Sequence, residues 1–505
     1  MLNFTPIFRA YLRGMAAAEC NSLTKIRLTQ QRQWEWLMAN GLRTLMGSQH
    51  GFRAIRGYDD YAREVPVVEY TAIRPLVMRI VDVEPDILWP GTTRRCAQSS
   101  GTSDGKSKSI PLTRDSLHRC HYRGGSYVVA KYLGLYPDSR IFSGKGFILG
   151  GSFANSLNLK PGVKAGDLSA HLIENINPLV NLFRVPSRQT ALMEDWEQKL
   201  PRLVEESMRA NVTNISGVPS WFMTVIKEVI RRSGATTIHD VWPNLEVFFH
   251  GGISFEPYRA EYARLTDPSR MRYLETYNAS EGFFAVQTSR EPGHGMEMLM
   301  DLGTFYEFIP LAEIGEPHPH ALRAWEVEEG EIYALVMTSC NGLWRYMPGD
   351  TVKVVSAAPL KITIAGRTRS FINAFGEELM VFNAEEAMRR VTEKHRCPVA
   401  NFTAAPVFAE GGRKGRHEWL IEFNEAPENI DRFAADLDLA LTQVNSDYQA
   451  KRAGNIFLDP LTIVVAKPGL FNRWLASTGK LGGQRKVPRL CNDRSIISDM
   501  LKMNH

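Results

Sequence analysis

Ser99-Ser100-Gly101-Thr102-Ser103-Asp104-Gly105-Lys106-Ser107-Lys108 packs five hydroxyls, two glycines and two lysines into ten residues. Such a stretch has little to offer a hydrophobic core and much to offer a polyphosphate. Glycine at 101 and 105 admits positive φ and lets backbone N–H groups approach an anion, while Ser, Thr and Lys add donors and positive charge. Two other motifs compete for the same letters. A Walker A loop needs four residues between its first glycine and a Gly-Lys-Ser that opens a helix, whereas only three residues lie between Gly101 and Gly105 and Ile110-Pro111 stands where that helix should run. Gly101-Thr102-Ser103-Asp104-Gly105 matches the Gly-x-Ser-x-Gly nucleophile elbow of α/β-hydrolases. That elbow wants an apolar strand before it and a helix after it, and here Arg94-Arg95-Cys96-Ala97-Gln98 precedes and a lysine-rich, proline-bearing segment follows. A solvated Ser/Gly linker is the plainest alternative to a phosphate cradle.

The surrounding chain is of ordinary globular composition, 505 residues with 44% hydrophobic and 23% charged content, long enough for two or more domains. A net charge of +5 spread over 60 basic and 55 acidic residues, with the basic residues scattered, gives no sign of a nucleic-acid-binding surface but suits small anionic ligands. Cys20, Cys96, Cys120, Cys340, Cys397 and Cys491 lie far apart without a Cys-x-x-Cys pair, which argues for reduced thiols rather than a zinc site or disulfide scaffold. Met1 to Cys20 is interrupted by Arg9 and Arg13 and lacks a signal-peptide core, and no window approaches the roughly 20 apolar residues that span a bilayer. A cytoplasmic protein with access to ATP is the expectation.

Helical and strand patterns alternate along the chain. Ser22 to Ala39 has the apolar spacing of an amphipathic helix, and Asp115 to Tyr132 reads as another helix after a cap at Thr113. Phe142 to Leu149 and Leu245 to His250 are short apolar runs ending at Gly150-Gly151 and Gly251-Gly252. In an α/β sheet ligands collect beyond the carboxyl ends of strands, so these pairs could let backbone approach a ligand, although a tight turn explains either pair alone. Tyr277-Asn-Ala-Ser-Glu-Gly282 reads as a turn between two strands. Glu281 within it is costly to bury without a cation or donors, and Mg²⁺ is a hard, oxygen-seeking partner. A salt-bridged turn residue is the competing reading. Leu343-Trp-Arg-Tyr-Met-Pro-Gly-Asp350 leads into a strand at Thr351 to Val355, and Asp350 could accept from a ribose diol or simply serve the turn. Glu385 to His395 and Asn429 to Gln443 look helical, Trp419 to Phe423 looks like a strand, and Glu410 to Arg416 looks like a solvated hairpin loop.

Taken in order, Ser99 to Lys108 with Ile110-Pro111, Tyr277 to Gly282, and Tyr346 to Val352 resemble the three ATP motifs of the auxin-responsive acyl-acid amido synthetase family of acyl-adenylate-forming enzymes. Val65-Pro-Val-Val-Glu-Tyr70, Leu88-Trp-Pro-Gly91, Glu307-Phe-Ile-Pro310 and Gln484-Arg-Lys-Val-Pro-Arg489 are also similar, so the resemblance spans nearly the whole chain. One departure is that plant members tend to read Tyr-Arg-Tyr-Arg where this chain has Trp344-Arg345-Tyr346-Met347, which detaches the resemblance from any plant-hormone substrate.

The resemblance implies an α/β fold: an amino-terminal adenylation domain over 1–365 and a smaller, mobile α+β cap over 366–505, with Arg367 or Arg369 near the hinge. It implies ATP and Mg²⁺ as cofactors, and a carboxylic acid and an amine, most naturally an amino acid, as substrates. By similarity Ser99, Ser100, Gly101, Thr102 and Ser103 would hold the phosphates, with Lys106 or Lys108 assisting. Gly251, Gly252, Tyr277, Ser280, Asp350 and Arg367 would serve the rest of the nucleotide, and Glu281 the Mg²⁺. Lys486, with Lys480 as its rival, would be the lysine that enters from the carboxy-terminal domain. An acyl-CoA ligase sharing the adenylation step, or a nucleotide-binding protein without catalysis, remain the alternatives. Aromatic residues around Tyr122 to Tyr132, Phe147 to Phe153 and Phe255 are candidate walls of an acid pocket, with core packing as their simpler explanation.

Overall fold

The structure is a computed structural model. It describes the chain except residues 1, 18–19, 100–107, 154, 156, 158, 253–254, 256–257, 311–312, 315, 317, 368–370, 373, 378, 409–413, 454–456, 478–486 and 505. The chain divides into two compact units, one of 1–99, 108–252 and 261–368, the other of 100–107, 253–260 and 369–505.

Among the described residues the first unit holds 16 strands: β1 Arg95–Ser99, β2 Lys108–Pro111, β3 Lys145–Ile148, β4 Lys164–Gly166, β5 Arg184–Val185, β6 Val212–Gly217, β7 Val247–Gly251, β8 Arg272–Ala279, β9 Gly282–Gln287, β10 Met296–Met298, β11 Thr304–Pro310, β12 Leu322–Arg323, β13 Ile332–Ser339, β14 Leu343–Tyr346, β15 Asp350–Ala357 and β16 Leu360–Arg367. Thirteen of them form one sheet in the order β12-β11-β13-β15-β16-β10-β9-β8-β7-β6-β3-β5, with β14 paired to β13. The half from β5 to β8 is parallel, as strands joined by helical crossovers must be. From β8 onward it is antiparallel, because β8, β9 and the strands beyond connect through short turns. β1, β2 and β4 make a separate small sheet.

Local chemistry explains the helices that matter here. The helix Leu23–Gly41 starts at Ser22, whose side chain accepts from the Lys25 N–H, and it presents Ile26, Gln30 and Leu37 to the sheet. The Gln30 amide is buried but fully used, donating to Met300 O and Thr304 O and accepting from the Tyr306 N–H. Thr113 caps the next helical segment, its Oγ1 accepting from the Ser116 N–H at 2.9 Å. The regular helix expected after that cap is replaced over Ser116–Tyr122 by a π-helix, and α-helical geometry resumes only at Arg123–Leu135. The cysteines are all free thiols.

The second unit is α+β. β17 Phe371–Ile372 pairs with β18 Leu379–Met380, and β19 Val399–Val407, β20 Arg416–Phe423 and β21 Thr462–Val465 form a three-stranded sheet. Helices Val381–His395 and Ile430–Val444 accompany that sheet, the latter capped by Asn429. Residues 409–413 of the expected hairpin loop lie outside the described residues.

Candidate active site

The parallel strands deliver their carboxyl ends to one edge of the first unit. The register aligns Ile148 with Ser216, Gly217 with His250, and Gly251 with Thr276, so Gly150-Gly151, Gly217, Gly251-Gly252 and the Ser280-Glu281 turn all arise at the same end. A crevice beyond strand ends is where such sheets bind ligands. The glycines there also have intramolecular reasons to be glycine. A Cβ on Gly251 would lie 2.4 Å from Thr276 O, and Gly252 has φ +83°. A Cβ on Gly150 would meet Ile173 and Ala191, and one on Gly151 would strike Asp167. Beneath the first pair, buried Lys199 donates to Gly150 O at 2.6 Å, and burial pushes its ammonium down to about 8.

Two segments read separately in the sequence meet at Tyr277. The tyrosine lies within β8 rather than in the turn, and its hydroxyl donates to Asp350 Oδ2 at 2.5 Å across 73 positions of sequence. Its ring packs at 58° to Phe284, centroids 4.8 Å apart. Asp350 opens β15, where its Cα partner across the ladder is Arg367. The expected ribose acid and the expected hinge-proximal arginine therefore stand at opposite positions of one antiparallel pair.

Glu281 occupies the two-residue connection between β8 and β9 and is 5% exposed. Tyr346, fully buried on β14, donates to Glu281 Oε1 at 3.4 Å. Ser280 O accepts at 3.3 Å from Asn341 Nδ2, which also donates to Pro111 O at the end of β2. This ties the metal-candidate turn to the strand that follows the hydroxyl-rich stretch. The two ends of that stretch are paired, Ser99 with Lys108, across the antiparallel β1–β2 ladder. Lys108 Nζ donates to Pro348 O at 3.4 Å and sits 6.0 Å from the Tyr346 ring centre. The segment leaving the stretch is thus a strand, Lys108–Pro111, which neither a Walker A loop nor a nucleophile elbow allows. Ser100, Gly101, Thr102, Ser103, Lys106, Lys480 and Lys486 lie outside the described residues. Phe255 is buried in the second unit.

Arg345 and Asn341 were not singled out by the sequence. Asn341-Gly342 sits between β13 and β14, and an Asn-Gly pair between apolar runs is a readable hairpin signal. Arg345 carries φ +42°, a conformation that costs a non-glycine residue about 1–3 kcal/mol and persists only when its surroundings over-determine it. Those surroundings are an ion pair from Nε to Glu307 Oε1 at 2.9 Å, donation to Ala62 O and Val65 O, and a backbone N–H bonded to Thr338 Oγ1. The register shifts between Met337 and Ser339 opposite β14, a local irregularity of the kind that re-aims side chains beside sites. Met347 packs on Ile309, Ala321, Ala334 and Val336.

The sequence profiles of the GH3 family N-terminal, central and C-terminal domains match residues 21–271, 297–367 and 382–495. A jasmonoyl–L-amino acid synthetase of Oryza sativa subsp. japonica, GH3.5, is 25% identical over 88% of this chain and 89% of its own length. An Arabidopsis thaliana indole-3-acetic acid-amido synthetase, GH3.10, is 23% identical over 88% of each. The fold is that of the acyl acid amido synthetase AtGH3.15 crystallised with 2,4-DB, with a TM-score of 0.62 at 17% identity over 99% of this chain and 96% of that one. A 2-hydroxyisobutyryl-CoA ligase superposes with a TM-score of 0.55 at 13% identity, covering 95% and 92%.

Proposed function

The chain belongs to the GH3 family, and from that premise we propose that it is an ATP-dependent acyl-acid amido synthetase that activates a carboxylic acid as its acyl-adenylate and transfers the acyl group to an amine, an amino acid by analogy with its relatives. The observation that carries this reading is that Lys108, which ends the hydroxyl-rich stretch, meets the other two sequence-distant motifs within the first unit: Lys108 on Pro348, Tyr277 on Asp350, and Tyr346 on Glu281.

Attack of a carboxylate on the α-phosphorus of ATP brings two anions together, so the site must supply donors and positive charge where negative charge develops. Ser99 to Ser103, with Lys106 or Lys108, are the candidates for the phosphates; Asp350, oriented by the Tyr277 hydroxyl, is the candidate for the ribose hydroxyls. Gly251, Gly252, Ser280 and Arg367 complete the nucleotide set. A single buried carboxylate completed by substrate phosphates is a donor set that suits Mg²⁺, and Glu281 fits it, its own position fixed by Tyr346. When bound there, Mg²⁺ supplies charge neutralisation of the triphosphate. The carboxylate oxygen bonds to the α-phosphorus and pyrophosphate leaves; the amine nitrogen then attacks the acyl carbon, AMP leaves, and the amine sheds a proton. We assign the amino-terminal part to about residue 365 as the adenylation domain and the remainder as the cap that presents Lys486.

Acid-dependent exchange of labelled pyrophosphate into ATP over a panel of carboxylic acids tests the first step, and product mass with amino acids or with CoA separates amide from thioester formation. Exchange that persists without acid, or a thioester as the sole product, would overturn the reading. Glu281→Gln should raise the Mg²⁺ requirement of exchange while leaving the fold intact.

A further inference from the structure

The parallel strands β3, β5 and β6 begin at the edge opposite the one that carries Gly150-Gly151, Gly217 and Gly251-Gly252. A cavity of about 730 Å³ opens at that amino-terminal edge, within the size range of small-molecule sites. It is lined by the chain entering β3 at Ser143 to Lys145, by Leu182 to Val185 at β5, and by Arg209 to Asn211 ahead of β6. These residues all belong to the first unit.

One wall is aromatic. Phe4 and Phe142 each stand edge-on to Phe183, with centroids 5.7 and 6.1 Å apart, and Leu182 beside them is 68% exposed. The polar lining is cationic: among the described residues Lys145, Arg184 and Arg209 stand against one carboxylate, Glu206.

Arg184 points to a ligand. It is 5% exposed and donates to Asn181 Oδ1 from Nε and Nη2 and to Pro186 O from Nη1, yet among the described residues it has no ion-pair partner. Arginine is almost never buried without a counter-charge, because lost hydration is repaid only by an opposite charge in good geometry. Glu206 acts on it only from beyond ion-pair distance, its carboxylate accepting instead from the Ser187 N–H and hydroxyl and from Thr190 Oγ1. Arg209 is paired with Glu205. Lys145 is exposed, and among the described residues its ammonium has no partner. A buried guanidinium and a free ammonium thus share one aromatic-walled space whose only carboxylate among the described residues is already committed.

We propose that this cavity is a second ligand site, separate from the candidate active site, for an amphipathic carboxylate: an apolar or aromatic body against Phe142 and Phe183, its carboxylate on Arg184 and Lys145. A free acid and an N-acyl amino acid share that chemistry, and the second is a candidate only through the reading given under Proposed function. Because the cavity lies at the opposite strand ends from the nucleotide residues, its occupant does not compete with ATP.

The test is photolabelling of the full chain with 4-benzoylbenzoate, an aromatic carboxylate whose excited ketone captures nearby C–H bonds, followed by peptide mapping. Labels should fall within residues 142–145, 181–187 or 206–211 and should persist in excess ATP and Mg²⁺. Without ATP they should be displaced by 3-phenylpropanoate or N-(3-phenylpropanoyl)glycine but not by the methyl esters of either, the better competitor identifying the source. Arg184→Met and Lys145→Glu, the latter at an exposed position, should each raise the half-saturating probe concentration about 10- to 100-fold. Acid-dependent pyrophosphate exchange should continue at the wild-type rate in Lys145→Glu. Labelling confined to other segments, equal displacement by the methyl esters, or unchanged half-saturation in both variants would overturn the proposal while leaving the amido synthetase reading standing. Absence of exchange with every acid would overturn that reading and leave this site in place.

Discussion

Replacing Glu307 with glutamine tests whether the buried ion pair holds the strained backbone beside the site. The side chains of Glu307 and Arg345 are 0% and 5% exposed, and Tyr58 donates a further bond to the same Glu307 oxygen at 2.8 Å. Glutamine keeps the shape and an acceptor for Tyr58 but removes the charge, leaving the guanidinium with the carbonyls of Ala62 and Val65. Two unit charges about 4 Å apart at an effective dielectric near 20 attract by about 4 kcal/mol, and breaking one side of a buried pair costs about 3–5 kcal/mol. Glu307→Gln should therefore destabilise the amino-terminal unit by about 3–4 kcal/mol in urea unfolding followed by tryptophan fluorescence. Arg345→Met should cost less, because burial already pushes the Glu307 carboxyl up and it can take a proton once unpaired. The double variant should recover much of the loss, since two uncharged side chains leave no buried charge. Because Arg345 precedes Tyr346, which bonds Glu281, each single variant should also raise the Mg²⁺ requirement of exchange. A double variant that loses the full sum of the two singles would refute this account of the pair.

Lys486→Ala should lower adenylation by about 10²-fold or more while affecting aminolysis of preformed acyl-adenylate much less; equal losses in both half-reactions would count against a lysine that serves only the first. His121 and His171 are both buried and pushed down to about 4 from 6.5, so folding favours their neutral forms. Their contribution is fully present above pH 6.5 and is lost as pH falls toward 4, by about 2 kcal/mol for each at pH 5. His171→Gln should flatten the stability difference between pH 7.5 and pH 5 accordingly, and an unaltered difference speaks against the burial argument. Gly251→Ala would set a methyl 2.4 Å from Thr276 O and should destabilise by about 1–3 kcal/mol in thermal unfolding; an unchanged transition would mean that β7 and β8 can separate freely.

The elements legible in the sequence are those governed by neighbours a few positions away. Thr113 announced its cap because the hydroxyl serves an N–H three residues on, whereas Ser22, read as the first residue of its helix, is the cap itself. The Ser280-Glu281 connection, the strand from Asp350 and the run ending at Gly251 were likewise readable, since turn residues and apolar runs are local. The π-helix was not, because its letters also satisfy an ordinary amphipathic helix and only packing against β9 separates the two. Nor was the pairing of Glu307 with Arg345, two charges that look solvated until β11 and β14 bury them.

By itself the amino-acid order determined which chemistry is carried: a hydroxyl- and lysine-rich stretch at 99–108, a lone carboxylate at 281, an acid at 350, and the family these spacings resemble. Only the tertiary structure decided which of these groups meet, placing Tyr277 on Asp350 and Asp350 opposite Arg367. The physical reason is that side-chain type is fixed residue by residue, whereas encounter across tens of positions depends on strand register, where a slip of one residue turns every side chain to the other face.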